Sequence, residues 1–285
     1  MTRHFPAERS HRLSATGLAV AGLLALAGCA QPGPATGYVG VVPEEQTPAK
    51  TLAALMRAGD VTRASGDLAS AVTFYRRAHA LAPENPAPLV RLGETLAALG
   101  AQNEAAEAFR AAIERDGKDA DALRGLGNAL LALHQPQLAI QSLTAANALK
   151  PDARSFNGIG VANDMTGNHR AAQAAYTQGM QLAAGNLQIQ NNLALSLMLS
   201  GDYPEAIEIL RAVITDPAAT PRHRQNLAMA HGLAGDIKEA ARVSRLDLEE
   251  AQVQNNLSYY LTLRSLNDSS AIAQALGINR IAPGN

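Results

Sequence analysis

The chain has 285 residues, with 24 lysines and arginines against 25 aspartates and glutamates, and 47% of its residues are hydrophobic although only 4% are aromatic. A formal charge of −1 over this length supplies no basic field for nucleic acid. A single cysteine has no intramolecular disulfide partner.

The first segment, residues 1–28, carries Arg3, Arg9 and Arg12 ahead of the apolar run Leu18 to Leu26. Charge, then a short apolar stretch, then small residues is the order of a secretory signal, too short for a membrane span. The tetrapeptide Leu26-Ala27-Gly28-Cys29 resembles a bacterial lipobox. That resemblance implies lipidation of Cys29 and removal of residues 1–28, which makes Cys29 the first residue of the mature protein. Several acyl chains on one residue anchor stably, because each buried methylene contributes about 0.8 kcal/mol and one chain alone is marginal. The same sorting pattern keeps a lipoprotein in the inner membrane when aspartate follows the cysteine. Ala30 therefore implies the outer membrane, periplasmic face. An ordinary signal cleaved elsewhere, leaving a free cysteine, is the alternative. Cleavage takes three cations and one anion, so the remaining body has a formal charge of −3.

Residues 29–50 hold Gln31-Pro32-Gly33-Pro34-Ala35-Thr36-Gly37, then Pro43 and Pro48, with no helical apolar period. They read as a flexible linker. About 20 such residues have a root-mean-square reach on the order of 25 Å, or roughly 60 Å when drawn straight.

From Thr51 a small residue returns at nearly constant spacing: Ala71, Ala105, Ala139, Ala172, Ala206 and Ala240. Every interval is 34 residues except one of 33. Twelve residues before each stands Gly59, Gly93, Gly127, Gly160, Ala194 or Ala228, and four residues after comes Tyr75, Phe109, Leu143, Tyr176, Leu210 or, breaking the apolar column, Ser244. Five residues before the alanine lies Gly66, Gly100, Gly167, Gly201 or Gly235, with His134 in the third copy. Glycine there suits a left-handed reversal between two helices. The two small columns let paired helices approach closely, and the large side chain wedges between neighbours.

These columns resemble the tetratricopeptide repeat, a 34-residue helix-turn-helix unit with small residues in both helices. The resemblance covers about residues 52 to 250. It implies an all-α solenoid, residues 51–265, of about six repeats closed by a capping helix and coiled as a right-handed superhelix. Leu246 to Arg264 supplies the cap, because Asn255-Asn256-Leu257-Ser258 echoes Gln225-Asn226-Leu227-Ala228, with Tyr259, Tyr260, Leu261 and Leu263 expected to pack on repeat six. Residues 266–285 are expected to form a short helix and a loose tail.

No HExxH, GxSxG, phosphate-loop or CxxC pattern occurs. Gly125-x-Gly127 and Gly158-x-Gly160 lack a third glycine and a preceding strand, so they read as packing glycines. His79, His134, His169, His223 and His231 fall at unrelated repeat positions and are expected at surfaces or turns. Asp202 and Asp236 follow turn glycines and are expected to cap helices. No metal, cofactor, small-molecule substrate or catalytic residue is expected, and the protein is read as a non-enzyme.

Function must then reside on a surface. Counting the first small residue as position eight of its repeat, positions two, five, nine and twelve form one stripe of the first helix. That stripe supplies a concave groove of Arg124, Asn128, Arg154, Asn157, Asn191, Leu195, Met198, Gln225 and Met229. Amides can pair with an extended peptide backbone, arginine can hold a carboxylate through two parallel bonds, and methionine adapts to varied apolar shapes. A peptide or strand of a protein partner is the expected ligand. Leu195 and Met229 become core residues if the register slips by one.

The ending Asp247-Leu248-x-x-x-x-Val253-x-x-Asn256-Leu257-x-Tyr259-Tyr260, after a lipobox, a linker and about six repeats, resembles the TadD-like lipoproteins of tight-adherence (Flp-type) pilus assembly. What this implies is a pilotin-like adaptor for the pilus secretin or another component of that machine. A scaffold of another envelope machine, such as type IV pilus or outer-membrane protein assembly, and a regulator of a peptidoglycan enzyme are the alternatives.

Overall fold

The computed structural model describes residues 48–266 and 268–276. The signal segment, Cys29 and nearly all of the linker lie outside the described residues. Helices α1 (Pro48–Ala64) and α2 (Leu68–Leu81), α3 (Ala87–Ala98) and α4 (Gln102–Arg115), α5 (Ala120–Ala132) and α6 (Pro136–Leu149) make three antiparallel pairs. Helices α7 (Ala153–Met165) and α8 (His169–Leu182), α9 (Leu187–Ser200) and α10 (Tyr203–Val213), α11 (Pro221–Ala234) and α12 (Ile237–Ser244) make three more. Helix α13 (Glu250–Leu266) and the short α14 (Ser269–Ala275) are the last among the described residues. The first helix opens at Pro48, a residue assigned above to the linker. Proline suits a first turn, where its missing N–H has no partner to lose.

Each pair is bounded by local chemistry. Asp67, Asp119, Asp152 and Asn186 accept backbone N–H bonds at the start of α2, α5, α7 and α9. Asp236 caps α12 as expected, whereas the Asp202 side chain makes no capping bond. All five turn glycines have φ between 79° and 93°, and His134 takes the same left-handed turn at φ 55°. For a residue with a Cβ that conformation costs roughly 1 kcal/mol.

The second helix of each repeat grips two layers. An ideal Cβ on Gly59 would stand 2.5 Å from the Tyr75 ring, and one on Gly127 would stand 2.5 Å from Leu143. Gly93 faces Phe109 and Gly160 faces Tyr176 in the same way. The large side chain also enters the next repeat: Phe109 lies against Gly125, and Leu143 against Gly158. Both glycines of each Gly-x-Gly pair are therefore packing glycines, each facing the wedge of a different repeat. In repeat six, where Ser244 breaks the column, Tyr260 of the cap comes back onto Gly232.

Odd-numbered helices touch their odd neighbours, α3 with α5 and so on to α11 with α13, forming an inner layer. The apolar core divides into two clusters. One holds Ala71 to Ala139, and the other runs from Ala172 through α9, α11 and α13. The second cluster also contains Ile272, Ala273 and Leu276, because α14 packs on α9 and α13. The short helix expected after Leu266 is α14, packed through Leu276, and the tail expected beyond it lies outside the described residues. In the cap, Val253, Leu257, Tyr260 and Leu263 are buried, while Tyr259 and Leu261, also expected to pack, are exposed.

Candidate functional site

The inner layer is graded along the stack. In repeats one and two it is ionic: Arg91 reaches Asp60 at 3.8 Å and Glu94 at 3.0 Å, and Arg63 reaches Glu94 at 3.4 Å. The Tyr75 hydroxyl donates to Asp60 at 2.8 Å. Burial, together with that carboxylate, pushes the phenol up to about 12.

In repeats three to five the layer turns to amides around a cavity of about 310 Å³. Asn128, Arg154 and Asn157, three of the expected groove residues, line it together with Leu131, Gly158, Val161, Asn186, Gln188 and Ile189. Arg154 is 70% exposed and is braced by Asp152, with Nε to Oδ1 at 3.1 Å and Nη2 to Oδ2 at 2.7 Å. Those bonds hold the Asp152 carboxyl down at about 2. Asn157 Oδ1 accepts from Asn192 Nδ2 at 2.9 Å.

The other expected groove residues are engaged elsewhere. Arg124 is only 12% exposed; it pairs with Asp121 and, at 3.6 Å, with Asp152, so its charge is spent within the fold. Asn191, 6% exposed, accepts from Asn226 Nδ2 at 2.8 Å and ties α9 to α11. Gln225 donates to Asp247 Oδ2 at 3.3 Å, a carboxylate that Arg224 also grips at 2.9 Å, and its own Oε1 is buried. Leu195, Met198 and Met229 are core residues, at 6%, 0% and 6% exposure. Helix α14 packs on α9, which carries Leu195 and Met198, and its apolar residues share one buried cluster with these two and with Met229 of α11. The repeat count did hold the signal for the missing cavity residues. Gln188 occupies position two, as Arg154 does, while Val161 and Leu131 occupy positions nine and twelve.

His231 departs from the surface-or-turn reading, while His169, at the turn into α8, is tied into a polar brace. His169 Nδ1 lies 2.8 Å from Asp164 Oδ1, which also accepts from Ser196 Oγ at 2.7 Å, while Asp164 Oδ2 accepts from Tyr176 at 3.0 Å. Burial raises the Tyr176 phenol well above its ordinary value. The carboxylate is the hub here, and Ser196 bonds to it and not to the imidazole, so the group braces α7, α8 and α9 without arming a nucleophile. His231 is buried, and that burial lowers its pKa. His223 accepts from the Thr220 N–H at 3.1 Å as part of a capping box. Among the described residues no group of His, Cys, Asp or Glu could hold a metal ion, and no helix is long and apolar enough to cross a membrane.

Paired helices in constant register, gripped by alternating wedges, define a helical-repeat solenoid. The profile of the tetratricopeptide-repeat family matches residues 90–154 and 166–222. Those residues carry tetratricopeptide repeats, and the described residues fold as a tetratricopeptide-repeat solenoid. The uncharacterized protein y4yS of Sinorhizobium fredii is 34% identical to it over 95 residues, 33% of this chain and 52% of that protein, so the chain spans about half the length of this curated relative. Among solved structures, the MamA protein is 27% identical with a TM-score of 0.53, covering 59% of this chain and 92% of its own. Pseudomonas aeruginosa PilF is 17% identical with a TM-score of 0.58, covering 81% and 98%. YrrB, a tetratricopeptide-repeat protein with an unusual peptide-binding site, is 14% identical with a TM-score of 0.53, covering 64% and 96%.

Proposed function

We propose that this protein is a lipid-anchored, non-enzymatic adaptor that serves assembly of a tight-adherence pilus machine, holding a segment of the secretin or of another component in its inner groove. The observation that carries the binding reading is the cavity of about 310 Å³, which presents Asn128, Asn157 and Gln188 amides beside Arg154 and the aliphatic Val161 and Ile189. Amides there suit the backbone of an extended segment, and the exposed guanidinium suits a carboxylate. Repeat solenoids of this kind use such inner surfaces to bind proteins.

The placement at the periplasmic face of the outer membrane and the choice of machine rest on Cys29, Ala30 and the Asp247 to Tyr260 segment. Anchoring through Cys29 confines the groove to the membrane surface and raises the effective concentration of a partner assembled there. The test is an immunoblot for detergent-resistant secretin multimers in outer membranes of cells carrying the natural chain, Cys29→Ala, Asn128→Ala/Arg154→Ala/Asn157→Ala, or no copy. Loss of multimers in all three altered strains is expected. Normal multimers without the protein would sink the pilotin role, and loss in the null strain with normal multimers in the triple variant would move the partner to another surface.

A further inference from the structure

Helix α14 does not sit where a repeat would put it. In every earlier repeat the second helix pairs with its own first helix and extends the stack. Here the seven-residue α14 turns back from α13 to lie on α9, two repeats earlier in the inner layer. Ile272, Ala273 and Leu276 are buried in the cluster that holds Leu195, Met198 and Met229. Asp268 caps the helix by accepting from the Ser270 N–H at 2.8 Å.

Beside Leu276, among the described residues, lies a space of about 150 Å³, bounded also by Val161, Leu195, Asn192, Asp164, Tyr176 and Arg222. Arg222 is exposed and has no ion pair among the described residues. A helix of seven residues is also too short to persist by its own hydrogen bonds, so α14 depends on its seat.

We infer that this stretch of groove is a docking site for a short amphipathic helix of a protein partner, and that α14 is its intramolecular occupant, displaced when the partner arrives. The partner helix carries apolar residues spaced like Ile272, Ala273 and Leu276, a side chain bulkier than leucine at the last of these places to fill the space beside it, and a nearby carboxylate for Arg222. Groove recognition by helices reads such spaced anchors. Because α14 is tethered to the site, a free helix must outcompete a high local concentration, which sets a threshold on partner affinity.

The inference rests on the inner surface being a protein-binding surface, and not on the pilus assignment. Fluorescein-labelled synthetic peptides of residues 268–285, one natural and one with Leu276→Phe, are the probes. They are titrated by fluorescence anisotropy into the full chain and into Ile272→Asp/Ala273→Asp, which unseats α14 while keeping its length. Binding at least tenfold tighter to the double variant, severalfold tighter again for the Leu276→Phe peptide, and loss of binding when Leu195→Asp is added are expected. Equal binding to both chains, or none to a double variant whose circular dichroism shows it folded, overturns the inference. If the double variant does not fold, the chain ending at Leu266 replaces it under the same criteria. If neither folds, α14 is an obligate part of the core, and the inference is overturned as well. Peptide competition with normal secretin multimers removes only the pilus role. Multimers that depend on the Arg154 cavity, with no peptide binding, remove only this site.

Discussion

Repeats one and two line their inner layer with Asp60, Arg63, Arg91 and Glu94, partly exposed and bonded to one another; repeats five and six line the equivalent face with buried Leu195, Met198 and Met229, in one apolar cluster with α14. The small column behind both faces is alike, buried Gly59 and Gly93 at one end and fully buried Ala194 and Ala228 at the other. Stacking chemistry and surface chemistry are thus carried by different columns of the repeat. One can vary without disturbing the other, and this lets a uniform solenoid present ions at one end, amides in the middle and a covered apolar seat at the other.

The sharpest way to break this contrast is truncation on either side of it. Met198→Ala should cost about 2–5 kcal/mol as a core cavity, whereas Asn128→Ala at the open cavity should stay within about 0.5 kcal/mol. Urea unfolding midpoints compare them directly, and similar values for the pair would mean that the two regions do not differ as described. The wedges should behave alike from one repeat to the next, being common to repeats one to four. Gly93→Ala and Gly160→Ala should each lose about 1–3 kcal/mol through overcrowding of Phe109 and Tyr176.

The covered end should also respond to acid. Burial lowers the His231 pKa, so below an ordinary value near 6.5 the unfolded chain takes up a proton that the folded chain resists. Stability is full above that value and falls as pH drops through it. Melting temperatures at pH 7.5 and 5.5 should differ by less in His231→Leu than in the natural chain. A smaller effect is expected at the third turn: His134→Gly should stabilise by about 0.5–1 kcal/mol by relieving its left-handed strain. The smallest belongs to Asp152, held at about 2 by a largely exposed Arg154. Its contribution is present above about pH 4 and vanishes as pH falls through 2, and Asp152→Asn should flatten that last stretch of an acid titration only slightly.

Much of the fold was legible because repetition multiplies weak signals. One alanine at position 71 says little, yet six in register fix the helix pairs, the turns and the inner stripe. The site was legible only where the stripe stayed open, at Asn128, Arg154 and Asn157. Position alone does not reveal that Arg124 meets Asp152 from the next repeat, or that Asn191 meets Asn226. Nor does it reveal α14, whose apolar residues span fewer than two turns and carry no repeat column. The Asp164 brace had a faint signature. Leu131 and Met198 hold the same position twelve in neighbouring repeats, so a carboxylate among them requires buried donors, here from His169, Ser196 and Tyr176.

The two apolar clusters part at α6 and α7, where the contact is Leu143 held between Gly127 and Gly158. A Cβ added at either glycine would crowd Leu143, so a bulkier residue at 127 or 158 would act as a shim between the two clusters, beside the cavity that Gly158 borders.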